Sequence, residues 1–194
     1  MKRRTVIVVI VLAICSYITY WLGEFYFRYY RVQKTPISPD ILDRKNVLDE
    51  ISEIIIPRTD TPGAKEADVS MYIISVFKSC LTSRDKRTLL YGFNNLDEYC
   101  QTQYSSLFEN CSQDKKIAAL AYFQDQGAYK NAFINKVRSR LLGKRFFELI
   151  KDLTVAGYCS SKVGATQGLA YDHIPGNYIA CAPLSLNQRA WATD

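Results

Sequence analysis

Residues 146–181 read FFELIKDLTVAGYCSSKVGATQGLAYDHIPGNYIAC. The first eight residues carry a helical pattern, with Phe146, Leu149, Ile150 and Leu153 spaced to fall on one face. The remainder breaks that pattern. Four of the nine glycines lie between Gly157 and Cys181, together with Pro175, three tyrosines and the only histidine, His173. Glycine at this density interrupts regular structure, because each one costs conformational entropy and admits left-handed backbone. The spacers, however, are Tyr, Leu, Ile and Ala rather than the polar residues of a flexible linker. A segment that is irregular yet rich in buriable side chains is expected to be an ordered loop packed on a helical body, and such loops tend to carry function or sit at interfaces.

Upstream, the helical pattern extends back to about Lys130 through Ile134, Val137, Leu141 and Leu142, giving one long helix over 130–153. A shorter helix is predicted over 113–124. Another begins at Ser83 or Asp85 and reaches Phe93 or beyond. Ile73, Val76, Phe77, Cys80 and Leu81 mark an amphipathic helix from about Lys65. Ser38 and Pro39 read as a cap and first helical residue for Ile41, Leu48, Ile51 and Ile55, with Pro57 ending that helix and Pro62-Gly63 suited to a tight reversal. No run alternates convincingly between apolar and polar residues. The fold class expected is all-α: a small helical bundle with an irregular, ordered C-terminal loop segment.

The chain has 194 residues, 48% apolar and 23% charged, enough for a single real core. Half of the formal charge of +6 comes from Lys2, Arg3 and Arg4. The rest is too balanced for a nucleic-acid-binding face. Residues 5–23 contain no charge, and Tyr17, Tyr20, Trp21 and Phe25 to Tyr30 crowd their C-terminal end. This pattern predicts one N-terminal transmembrane helix, an uncleaved signal anchor with its N-terminus inside and its aromatic belt at the far interface. Lys2-Arg3-Arg4 reads equally as inside-positive charge or as a twin-arginine export signal. The organisation expected is therefore an anchor over 1–31, a tether over 32–39 and a helical domain over 40–194. Outside the expected span lie Cys80, Cys100, Cys111, Cys159 and Cys181. Five is odd, so at most two intrachain disulfides can form; at least one is expected of an exported domain, and sequence leaves the pairing open.

The search for chemistry finds no constellation. One histidine cannot build a two-His metal site, and no Cys-x-x-Cys-His or Gly-x-Gly-x-x-Gly occurs. His173 reads as an ordinary polar loop residue without a base-orienting partner, and Asp60 as a turn or cap residue. No catalytic, cofactor-binding or metal residue is expected in this chain.

Two separated stretches nonetheless resemble one family. Leu153-Thr154, Gly157-Tyr158, Ser160-Ser161, Gly164-Ala165-Thr166, Pro175-Gly176-Asn177-Tyr178 and Cys181 follow, in order, the closing pattern of the gluconate 2-dehydrogenase subunit 3 family. Residues 51–73, ISEIIIPRTDTPGAKEADVSMYI, are similar to its opening pattern, a helix ending at Ile-Pro before Arg/Asp-Thr-Pro-Gly-Ala. The resemblance covers roughly residues 40–182. It implies the small subunit of a membrane-bound dehydrogenase that oxidises a sugar or sugar acid on the periplasmic side of the bacterial cytoplasmic membrane. FAD would be carried by a glucose–methanol–choline-type partner, and haem by a multihaem c-type cytochrome subunit. The small subunit would support assembly, stability or export of the flavoprotein. On this resemblance Arg58, Thr59, Asp60, Pro62, Gly63, Gly157, Tyr158, Gly164, Tyr171, His173, Pro175, Gly176 and Tyr178 form or brace the docking surface, and Cys159 or Cys181 is placed to tether the partner. The alternatives are an anchored exported protein that binds a small ligand in its loop, and an enzyme with a site around His173 and Asp60.

Overall fold

The computed structural model describes residues 3–34, 36, 41–125, 143–174, 176, 181, 186 and 188–192. Six α-helices are seen among them: α1 (Arg3–Lys34), α2 (Lys45–Ile55), α3 (Val69–Ser79), α4 (Ser83–Tyr104), α5 (Gln113–Asp125) and α6 (Phe146–Ser160). Short 3-10 turns occupy Leu42–Arg44 and Phe108–Asn110, and a π-helical turn covers Gly164–Gly168. The described residues contain no strand, only a single bridge between Ala170 and Trp191. The all-α expectation stands.

The membrane-spanning expectation does not. No helix among the described residues is long and apolar enough to cross a membrane. The charge-free run does not end as a helix of its own. It continues without a break through Glu24, Arg28, Arg31 and Lys34 in α1, which also packs against α4.

Helix α6 organises the bundle and touches α2, α3, α4 and α5. Its buried face, Phe146, Leu149, Ile150, Leu153, Thr154, Gly157 and Tyr158, repeats at three- and four-residue intervals over the whole helix. Against it lie Leu48 and Ile51 of α2, Ile73 and Phe77 of α3, Leu89, Phe93 and Leu96 of α4, and Leu120 of α5. Each fully buried Leu or Ile contributes about 1.5–3 kcal/mol relative to exposure. Gly92 lets the Phe146 ring rest directly on α4, since a Cβ there would come within 2.0 Å of it. Phe146 meets Phe93 edge-on, with centroids 5.2 Å apart.

The sequence pattern misplaced both ends of this helix. Residues 143–145 are not helical: Gly143 has φ +76° and Arg145 is extended, so α6 starts at Phe146 rather than continuing a helix from Lys130. Residues 126–142, where most of that longer helix was expected, lie outside the described residues, as do Ser38 and Pro39. At the other end α6 runs past Leu153 to Ser160, so Gly157–Ser160 are helical and not loop. Leu153, Thr154, Gly157 and Tyr158 simply extend the buried stripe, and that packing outweighs the helix-breaking tendency of one glycine. Helix α3 begins at Val69, four residues later than expected, because Ala64–Asp68 form turns that end at Asp68 in left-handed backbone, φ 50°. Helix α4 is entered through Thr82, whose hydroxyl oxygen accepts from the Asp85 amide.

Candidate functional site

Glu53, near the end of α2, fixes the turn that follows. Its carboxylate accepts from the Arg58 amide at 3.0 Å and the Lys65 amide at 2.9 Å, closing the 58–65 loop from both sides. The Ala64 amide donates to the Ile56 carbonyl at 3.0 Å beneath it. Gly63 packs against this carboxylate; a Cβ there would lie 2.5 Å from one oxygen and 2.8 Å from the Arg58 nitrogen. Thr59 and Thr61 pair through backbone, and Arg58, Thr59 and Asp60 project into solvent at the tip, where Arg58 bridges to Glu66 at 2.8 Å.

Electrostatics hold the same loop from its other end. Lys65 reaches Glu50 of α2 at 2.6 Å, and Glu50 also meets the nearly buried Lys116 of α5 at 3.1 Å. The Lys65 hydrogen bond, reinforced by Lys116 and opposed by burial, holds the Glu50 carboxyl below its ordinary value.

The second stretch meets the first at one bond. The Tyr158 hydroxyl donates to the Pro62 carbonyl at 2.7 Å, across 96 positions of sequence. Gly157, one residue earlier, lets α6 close on α3, since a Cβ would sit 2.7 Å from the Tyr72 ring and 3.1 Å from Val69. After α6 the chain folds back over Tyr158. The Ser161 hydroxyl donates to the Tyr158 carbonyl at 2.8 Å and accepts from the Gly164 amide at 2.9 Å. Gly164 rests on that same carbonyl, and Gly168 rests on the Tyr158 hydroxyl.

Beyond Gly168 the surface opens. Ala170 pairs with the tail through the Ala190 carbonyl and the Ala192 amide, both at 2.8 Å, and the Arg189 guanidinium donates to the Gln167 carbonyl at 2.6 Å. Tyr171, His173 and Ile174 are exposed, with 3.3 Å between the Tyr171 hydroxyl and His173 Nδ1. Among the described residues, none comes within 4 Å of where a Cβ on Gly176 would stand. Pro175 and Tyr178 lie outside the described residues.

Of the expected site residues, Pro62, Gly63, Gly157, Tyr158 and Gly164 thus form one packed clasp. Arg58, Thr59 and Asp60 lie at its exposed edge, and Tyr171, His173 and Gly176 form a separate exposed strip. The Asp60 carboxylate accepts from the Thr59 hydroxyl at 3.0 Å, within the turn. Glu53 and Gly168, which also build the clasp, are not among the residues expected from the sequence. The sequence signal for Glu53 was its place one turn before Pro57, where it can reach amides freed by the end of the helix. All six cysteines are free thiols; the expected disulfide is not formed, Cys15, Cys80, Cys159 and Cys181 being exposed and Cys100 and Cys111 buried. A hollow of about 260 Å³ lies between α2, α5 and α6, lined by Ile54, Ile55, Ile117, Leu120 and Phe147, and shares no residue with the clasp. No group of three or more His, Cys, Asp or Glu suited to a metal occurs among the described residues.

Among the described residues, two glycine-bearing turns far apart in sequence are thus joined by the Tyr158–Pro62 hydrogen bond. The model of the family gluconate 2-dehydrogenase subunit 3 matches residues 43–176, and the chain belongs to that family. The family name denotes one subunit of a multisubunit dehydrogenase. No curated protein and no solved structure matches the chain.

Proposed function

We propose that this chain is a non-catalytic subunit that docks and stabilises the FAD-bearing subunit of a dehydrogenase acting on a sugar or sugar acid of the gluconate kind. The docking face is the clasp edge at Arg58–Asp60 and the strip from Tyr171 to Gly176. The observation that carries this reading is the Tyr158–Pro62 hydrogen bond, which joins the two stretches of family resemblance into one structural unit. Surface loops held by a rigid scaffold are where binding residues concentrate, and this bond fixes both loops on the helical body. FAD and haem c belong to the partner subunits in this reading, the electrons passing to a multihaem c-type cytochrome. The assembled enzyme works at the outer face of a bacterial cytoplasmic membrane, attached through its partners.

The test is affinity recovery of the full chain from gently solubilised membranes of cells that also make the flavoprotein and cytochrome. A flavin-containing subunit should co-purify. The double variant Tyr171→Ala/Ile174→Ala, at exposed positions, should lower that recovery at least several-fold while leaving the melting temperature unchanged. Recovery of neither a flavin nor a haem subunit under conditions that keep membrane complexes whole would sink the proposal.

A further inference from the structure

Helices α2 and α5 each pack on α6. They meet one another through the Glu50–Lys116 ion pair at 3.1 Å. One turn further along each helix stand Ile54 and Leu120, and there the hollow of about 260 Å³ opens. Leu120, 2% exposed, lies at its floor, while Ile117 on the same helix is 47% exposed at its mouth. Only two of the lining side chains are polar: Gln124 of α5, and Lys151 of α6, one turn past Phe147. Both are exposed, and neither has a hydrogen bond or ion pair among the described residues. Lys65, Lys116 and Lys144, by contrast, are each held by a carboxylate, that of Glu50 or Asp152. An apolar hollow beside an unpaired cation is complementary to an apolar body that carries one negative charge.

We propose that this hollow binds a medium-chain carboxylate, its alkyl chain lying against Ile54, Leu120 and Phe147 and its carboxylate on the Lys151 ammonium. At roughly 30 Å³ for each water-sized group, the hollow holds about eight such groups, so a chain of about eight carbons fills it. The lining stretch of α5, from Ile117 to Gln124, is roughly 10 Å long at 1.5 Å per residue, which suits a chain laid out along the helix. The carboxylate stays at the solvent edge with Lys151, so neither charge is fully desolvated, and the Gln124 amide offers the hollow a second donor. The site shares no residue with the clasp or the exposed strip, and the inference is independent of the docking reading.

Isothermal titration calorimetry of the full chain with butanoate, hexanoate, octanoate and decanoate, each below its micelle-forming concentration, tests this. Affinity should rise roughly two- to fourfold for each added methylene up to about eight carbons, then level off as the hollow fills. Lys151→Met keeps the apolar stem and removes the charge. It should weaken octanoate about two- to fivefold and leave 1-octanol unchanged. Ala121→Phe sets a ring into the hollow from an exposed position and should abolish binding of both without lowering the melting temperature. Should that variant not fold, the split between octanoate and octanol in Lys151→Met decides. The proposal is overturned by failure to saturate at millimolar octanoate, by equal binding of octyltrimethylammonium, by octanoate binding that survives Ala121→Phe, or by equal loss of octanoate and octanol in Lys151→Met. A dimer in sedimentation that Ala121→Phe disperses would assign the hollow to a second copy of the chain and overturn it as well.

Discussion

From Gly157 to Gly168 the chain buries Gly157, Tyr158 and Gly164, whereas from Tyr171 to Gly176 every described residue is exposed. The two halves share a composition of glycine, tyrosine and small residues, and they use it for opposite ends. In the first half each glycine stands where a Cβ would collide with a named neighbour, so its value is the absence of a side chain. In the second half no described residue comes within 4 Å of a Cβ placed on Gly176. The glycines of one half are packing elements and that of the other is a surface element, a distinction set by the surroundings and invisible in composition.

The sharpest way to break this comparison is at Gly164. A Cβ there would fall 2.0 Å from the Tyr158 carbonyl oxygen, a backbone atom that cannot swing aside. Gly164→Ala should cost roughly 3 kcal/mol, or about 6–12 °C in melting temperature by differential scanning fluorimetry. An unchanged transition would mean that the turn yields and that the first half is no more packed than the second. Next comes Tyr158→Phe, which removes only the hydroxyl and leaves the Pro62 carbonyl without it. About 1–2 kcal/mol should be lost in urea unfolding, with faster amide hydrogen exchange at Arg58 and Lys65 as the 58–65 loop loosens. Loss of less than about 0.5 kcal/mol would show that the two stretches hold together without the bond.

How much of this was legible beforehand follows from the physics of each piece. Helices α2 and α3 announce themselves by periodic apolar residues, and Pro57 by local chemistry that acts on adjacent backbone. The extension of α6 to Ser160 was hidden because Gly157 argues locally for a break, while the argument for continuing comes from Tyr72 and Val69, some 85 residues earlier. The clasp was half legible. Both stretches stood out, yet their junction depends on a tertiary hydrogen bond from Tyr158 that no spacing encodes. Glu53 looked like one more solvated acid on a helix, because its role lies in the amides it meets after the chain turns back.

A smaller effect separates the halves by charge. Glu50, through Lys65, ties the 58–65 loop to α2 and α5, and its folded carboxyl lies below the ordinary glutamate value of 4.5. A depressed carboxyl contributes stability that is fully present above the unfolded value and lost as pH falls through the folded one. Urea unfolding should therefore show a constant contribution from Glu50 above about pH 5 and its progressive loss below about pH 4.5. The Glu50→Gln variant should be less stable at neutral pH and show a flatter acid limb. Parallel acid limbs in the two chains would remove the charge tie from the account of the packed half.

The smallest expected change is the most discriminating for the exposed half. No described residue comes within 4 Å of a Cβ placed on Gly176, and its backbone is outside the left-handed region, so an alanine fits without strain. Gly176→Ala should leave folding stability within about 0.5 kcal/mol, any shift being towards greater stability through a less flexible unfolded chain. A melting temperature lowered as far as in Gly164→Ala would erase the difference between the halves, for it would mean that Gly176 is packed. With stability unchanged, recovery of the flavin-containing subunit becomes a clean measure of the surface itself. If Gly176→Ala lowers recovery, the strip contacts its partner there; if recovery also stays unchanged, the contact is confined to Tyr171–Ile174 and the clasp edge at Arg58–Asp60.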